Sequence, residues 1–338
     1  TANLEYFRGK TIGWDQFELV TPNLGGGTGS NTGFGVRGIF VGGYAPSQSL
    51  SIEFITISTL GNSQDFGDLN SGYSAGVATN DRTRGFYSGG NSGSQQNMNF
   101  CTLASMGDSV DGGGDLIAAT KGKPTGNSSS TRGVISGGRD HPGAAEVNVI
   151  QHHTIQSFGN AADFGDLSNP RSYAGGNCQS STRGIIAGGF SPSAPTRVNS
   201  IEFLTMASLG NSADFGDLAT AVSNLGAASN STRGIFAGGT DGSTALRDMQ
   251  FITIASAGNA QDFGDLDNGG DFNHVKGDVG CCTSPTRCVI GGGSVPGGTG
   301  MQFVEIASSG GGTDFGEFAV NTNARQDSGM WSTGHGGL

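Results

Sequence analysis

Apolar residues in this chain come in short bursts separated by glycine-rich or hydroxyl-rich stretches, and no segment shows the 3.6-residue recurrence of a helix face. The stretch 171–218 illustrates the pattern. There "YAGGNC", "GIIAGG", "SIEFLTMA" and "DFGDL" follow one another, divided by "QSST", "FSPSAPTRVN" and "SLGNSA". Each of the four pieces has the length and apolar content of a strand, and each divider carries the residues that end one. The pattern predicts four short strands in this unit and an all-β chain.

The unit recurs. Arg-Gly opens the second strand at Arg37, Arg84, Arg132, Arg183 and Arg233, with Arg287-Cys288 as a variant, and successive arginines stand 47 to 54 residues apart. Behind each comes a second motif: "GNSQDFGDL" ending at Leu69, "GNAADFGDL" at Leu167, "GNSADFGDL" at Leu218, "GNAQDFGDL" at Leu266, "GGTDFGEF" at Phe318 and a worn "GDSVDGGGDL" at Leu116. These make six complete units between about residues 30 and 318. The ends read as halves of one more. Residues 3–19 match the back of a unit and "DSGMWSTG" (327–334) matches the front, so 1–20 and 319–338 are expected to share a closing blade, with Trp14 and Trp331 packed in it. Units of about 48 residues with four strands, completed by the two ends rather than capped, describe a seven-bladed β-propeller forming a single domain over 1–338. Closure by strands from both termini removes the free sheet edges.

Composition narrows the function classes. Glycine supplies 63 of 338 residues, about 19% against a usual ~7%, which fits many tight turns. The formal net charge is -11 with 17 Lys+Arg and no basic run, so the footprint for a nucleic-acid backbone is missing and an anionic membrane is a poor partner. No stretch approaches the ~20 apolar residues of a spanning helix, and no signal peptide opens the chain. It begins at Thr1, which suggests a processed chain or a fragment. The five cysteines, Cys101, Cys178, Cys281, Cys282 and Cys288, share no repeat position and lack structural-zinc spacing, so buried free thiols are expected rather than a disulfide framework or a metal site. The Asp pairs of DFGDL lack the EF-hand pattern and offer too few oxygens for calcium. No cofactor is expected.

The order of cues resembles the kelch repeat: an apolar strand, a turn, a strand ending in Gly-Gly, a long loop, an aromatic-bearing strand and a short last strand. The doublets are Gly42-Gly43, Gly89-Gly90, Gly137-Gly138, Gly188-Gly189, Gly238-Gly239 and Gly291-Gly292. The chain departs from kelch in its fourth strand, where phenylalanine replaces the family's usual tryptophan. Phe66, Phe164, Phe215, Phe263 and Phe315 are then the expected packing plugs between blades. A narrower resemblance, carried by tandem "TRGIFAGG" and "DFGDL" units, is to predicted structural proteins of marine tailed phages, especially those of cyanobacteria. It implies a virion component such as a tail fibre or surface appendage.

Six arginines at equivalent positions suggest either a binding ring or a structural network. In an up-down blade the turns after strands one and three lie on one face, which places each arginine near the aspartates flanking strand four. Arg37 is expected to meet Asp65 or Asp68, Arg183 to meet Asp214 or Asp217, and Arg233 to meet Asp262 or Asp265; Arg84, Arg132, Arg287, Asp163 and Asp314 belong to the same network. Repetition favours the structural reading, because a site is usually made by departures from a repeat. The opposite face carries the variable loops after strands two and four, and a rigid scaffold with variable loops is a common binding surface. Its larger side chains, Tyr44, Tyr73, Arg139, His141, Tyr173, Phe190, Asp241, Phe272 and His274, are the candidate ligand-binding residues.

No GxSxG, HExxH or Walker sequence occurs, so an enzyme is not expected. The reading is a non-catalytic adhesive module on a phage particle, recognising a host-surface glycan or protein and contacting other virion proteins, with homo-oligomerisation in a fibre as a further expectation. The alternatives are a purely architectural virion protein and a secreted bacterial lectin.

Overall fold

The computed structural model describes residues 36–44, 47–72, 74–91, 96–118, 120–143, 145–192, 196–267, 277–293, 299–320 and 325–338, with the backbone of two further strands. Among the described residues there is no helix, and six four-stranded antiparallel sheets form. In order from the innermost strand, blade 1 is Gly329–Ser332, Arg37–Val41, Ser51–Thr56 and Gln64–Asp68. Blade 2 is Val77–Asn80, Arg84–Ser88, Asn97–Thr102 and Val110–Asp115. Blade 3 is Thr125–Ser128, Arg132–Ser136, Val149–Thr154 and Ala162–Asp166. Blade 4 is Gly175–Gln179, Arg183–Ala187, Ser200–Thr205 and Ala213–Asp217. Blade 5 is Gly226–Ser229, Arg233–Ala237, Asp248–Thr253 and Gln261–Asp265, and blade 6 is Gly280–Thr283, Arg287–Gly291, Gly300–Glu305 and Thr313–Glu317.

Each innermost strand touches the next, and that of blade 6 touches that of blade 1, so six blades close the ring. The expected seventh does not enter it. Residues 329–332 are not the second strand of a further unit; they are the missing first strand of blade 1, hydrogen-bonded to Arg37–Val41 from Gly329↔Val41 to Ser332↔Gly38. The other half of the expected closing blade, Ala2–Phe7 and Trp14–Leu19, forms a separate two-stranded sheet among the described residues. The Trp14 side chain lies outside the described residues. Trp331 is fully buried on the closing strand, and its indole N–H donates to the Phe86 carbonyl of blade 2 at 3.0 Å.

The core lies between blades. Six apolar clusters form, and each mixes residues of two adjacent blades. Phe66, Phe164, Phe215, Phe263 and Phe315 are buried in them, as the repeat predicts. The Arg-Gly glycine makes room for the preceding blade. A Cβ at Gly38, Gly85 or Gly234 would strike Cys282, Trp331 or Cys178 respectively. Blade 6 has Cys288 at this position, and it shares its cluster with the small Ala228 of blade 5. Size complementarity across the joint therefore accounts for the one variant of the motif.

DFGDL fits a related purpose. The backbone of the turn before the fourth strand of each blade donates to the outermost strand of the blade before it, as in Gly107 N to Phe66 O at 2.8 Å and Gly258 N to Phe215 O at 2.7 Å. The asparagine side chain extends the pairing: Asn211 and Asn259 accept from the backbone N–H of Asp166 and Asp217. The DFG glycines have φ between 134° and 152°, and a Cβ there would run into the covering turn. The repeat thus covers its own sheet edges, which would otherwise be open to further strand pairing.

The arginine network is present with other partners. Arg37, Arg132, Arg183, Arg233 and Arg287 donate through Nη1 to the carbonyls of Leu103, Met206, Ile254, Ile306 and Ile57, each in the next blade, at 2.8–3.1 Å, and Arg84 donates to Gln156 O at 3.0 Å. Most guanidiniums also lie over a phenylalanine of their own third strand, such as Arg233 over Phe251 at 4.2 Å. Among the described residues no ion pair joins a repeat arginine to a DFGDL aspartate. Asp65, Asp163, Asp214, Asp262 and Asp314 are exposed on the outermost strands, where strand alternation turns the phenylalanine inward and the aspartates outward. Arg287 pairs instead with an acid of its own third strand, Glu305, at 3.0 Å.

Two buried arginines in the links before innermost strands had no signature in the repeat. Arg325 is fully buried; it donates to Glu53 at 2.9 Å and to the carbonyls of Gly42, Phe40 and Ser51, latching the closing strand to blade 1. Arg171 pairs with Glu202 in the same way in blade 4.

Candidate functional site: the loop face and the axial mouth

The turns after strands one and three lie on the arginine face, and the loops after strands two and four on the other. On that loop face each chain segment entering an innermost strand passes through one residue at φ between 52° and 62°: Ala75, Lys123, Tyr173, Asn224, Asp278 and Asp327. Their backbones form a chain of hydrogen bonds around the axis. Ala75 N donates to Asp327 O, Lys123 N to Ala75 O, Tyr173 N to Lys123 O, Asn224 N to Tyr173 O and Asp278 N to Asn224 O, at 2.8–3.2 Å.

The side chains at these positions differ from blade to blade. Lys123 of blade 3 reaches across the mouth to blades 6 and 1, with Nζ 3.8 Å from Asp278 Oδ1 and 3.7 Å from Asp327 Oδ1. Asn224 donates to the same Asp278 oxygen. Burial, opposed by Lys123 and reinforced by Asp278, raises the Asp327 carboxyl to about 7. Beneath lies a narrow channel of ≈ 50 Å³, lined by small residues of the innermost strands such as Gly126, Gly176, Gly226 and Gly280.

Outward from Tyr173 three of the candidates come together. The Arg139 guanidinium lies 5.2 Å from the Tyr173 ring centroid and 5.5 Å from that of Phe190, and its Nε pairs with Glu146 at 2.7 Å. All three are half-buried, held by backbone pairing of Lys121 with Arg139 and of Ser172 with Phe190. Burial, followed by Asp327, raises the Tyr173 hydroxyl. The remaining candidates stand apart. Tyr44 is exposed and bridges Gln48 and Gln326, and His141 is exposed. Asp241 is exposed and caps its own turn, where the N–H groups of Thr244 and Ser243 lower its carboxyl to about 2. Tyr73, Phe272 and His274 lie outside the described residues.

Sequence reading missed Lys123, Glu146, Asn224, Asp278 and Asp327. The available signal was positional: each axial residue stands two before an innermost strand. Among the described residues no three of His, Cys, Asp and Glu gather as metal ligands. All five cysteines are buried and free. The geometry offers aromatic faces, a guanidinium and a carboxylate at half-buried positions, a set able to stack on and hydrogen-bond a polar ligand. No protein-family model matches the sequence, and a search of curated proteins finds no relative.

Proposed function

We propose that the chain is a non-catalytic adhesive module, part of a phage tail fibre or other surface appendage, which binds a host-surface glycan or protein through its loop face. The observation that carries the reading is the Arg139–Glu146–Tyr173–Phe190 cluster. It is assembled from the parts of the chain that vary between units, on a scaffold whose repeated residues are occupied in joining blades. Glycan arrays and intact cyanobacterial cells test it, using the purified chain with Phe190→Ala, Arg139→Ala and Tyr44→Ala. Saturable binding weakened by the first two and unchanged by the third supports the cluster. Binding that all three leave intact refutes it.

A second reading, an architectural virion protein docked on a neighbouring subunit, draws on the arginine face. Leu60, Met106, Phe158 and Leu209 occupy the same turn in blades 1 to 4 and are 53–62% exposed. The same array separates the two: no binding to any glycan or cell, with a partner from the particle lost on Leu60→Ser and Leu209→Ser, favours docking.

A further inference from the structure

The channel is closed at the arginine face by residues 333–338. Thr333 continues the pairing with Arg37, after which the chain turns across the axis and meets the ends of the innermost strands of blades 2 to 5. Gly336 N donates to Ser229 O at 3.0 Å. A Cβ at Gly336 would run into the carbonyls of Asn230 and Gln179, and one at Gly337 into that of Ser128. Two successive positions therefore admit glycine alone.

His335, 4% exposed, supplies the polar contacts. Its Nδ1 receives the Gly337 N–H at 3.2 Å and lies 3.0 Å from the Gln179 amide nitrogen, and its Nε2 lies 2.9 Å from the Asn80 carbonyl. The Asn80 carbonyl requires a proton on Nε2, and the Gly337 N–H requires a lone pair on Nδ1. Only the neutral Nε2–H tautomer meets both. A second proton on Nδ1 would point at the Gly337 N–H. The charged groups near the ring are Asp81 and Arg82 of blade 2; the ends of blades 3 to 5 present the uncharged Ser128, Gln179, Ser229 and Asn230. Burial holds the imidazole down to about 4, the hydrogen bond to the Asn80 carbonyl and then Asp81 opposing.

We propose that this mouth is a binding site for a His-Gly-Gly peptide segment, filled in this chain by its own residues 335–337, and that protonation of the imidazole empties it. The inference rests on the arginine-face end of the channel and is independent of adhesion by the loop face.

The test uses the full chain with Gly336→Ala, which wedges a methyl against two carbonyls and frees the site, and a fluorescent Gly-His-Gly-Gly-Leu peptide. At neutral pH the peptide should bind the variant, and the parent should bind it on the order of tenfold more weakly because its site is occupied; the Gly-His-Ala-Gly-Leu peptide should lose a similar factor. Equal binding of the two peptides, or none to a variant whose circular dichroism matches the parent, overturns the proposal. Hydrogen exchange on the unaltered chain supplies a second readout. The Gly336 amide should be protected at neutral pH and lose protection near pH 4 while amides of the blade strands keep theirs. Protection that persists at pH 3, or is absent at neutral pH, also overturns it.

Discussion

Arg325→Met should be among the most damaging single substitutions in the ring. The guanidinium is fully buried and makes four donations: to Gly42 O at 2.6 Å, Glu53 at 2.9 Å, Phe40 O at 3.2 Å and Ser51 O at 2.5 Å. Methionine fills much of the volume and supplies none of them. Glu53, itself fully buried, keeps Ser63 Oγ at 2.5 Å and Val320 N at 3.3 Å but loses its counter-ion. Removing one partner of a buried pair costs about 3–5 kcal/mol, because an uncompensated charge remains. With about 2.1 cal/mol/K per residue over 338 residues, that corresponds to a fall in Tm of roughly 4–7 °C. Thermal and urea melts followed by circular dichroism measure it. Arg171→Met calibrates the effect, since it breaks the like pair with Glu202 away from the closing strand. Arg325→Met/Glu53→Gln should recover part of the loss by neutralising the stranded carboxylate. A Tm for Arg325→Met within about 1 °C of the parent would refute the argument, as would a double variant no more stable than the single one.

Other outcomes follow from the same geometry. Arg183→Ala removes the donation to Ile254 O and the contact over Phe203, so it should cost about 1–2 kcal/mol in denaturant melts and leave loop-face binding unchanged; lost binding at unchanged stability would return the arginines to the ligand. Asp327, held at about 7 against an ordinary 3.8, keeps a proton that the unfolded chain has lost, so its contribution to stability falls as pH rises between those values. Asp327→Asn tolerates the positive φ, and the stability of the parent relative to this variant, read from urea midpoints, should fall as pH rises across the interval. His153 runs the opposite way: burial pushes it down to about 4, so the unfolded chain binds the extra proton and its contribution to stability rises from pH 4 to about 6.5; His335 is held down in the same way, so His153→Gln should reduce the slope of that limb by about half rather than remove it. The five cysteines are buried, and burial raises Cys101 to about 12 and Cys282 well above the ordinary thiol range. A thiol reagent should therefore find none in the native chain at pH 8 and all five in denaturant.

The sequence alone determined what depends on local pattern repeated often enough to read. Strand-length apolar bursts, Gly-Gly doublets and the alternation in DFGDL specified four-stranded blades, the buried phenylalanines and the two faces of the disc. The blade count was beyond it, because "GMWS" has the apolar pattern of a first or a second strand equally well. Only pairing with Arg37–Val41 decides between them. The arginine partners were likewise ambiguous, since spacing shows which turns share a face but not that a guanidinium will cross to the next blade's carbonyl. The axial mouth was least legible. Lys123, Asp278 and Asp327 lie far apart in sequence and differ in type, and ring closure alone brings them within ion-pair reach. Local chemistry fixed the blades, while contacts between units, which depend on how many close the circle, decided where charge and polar groups converge.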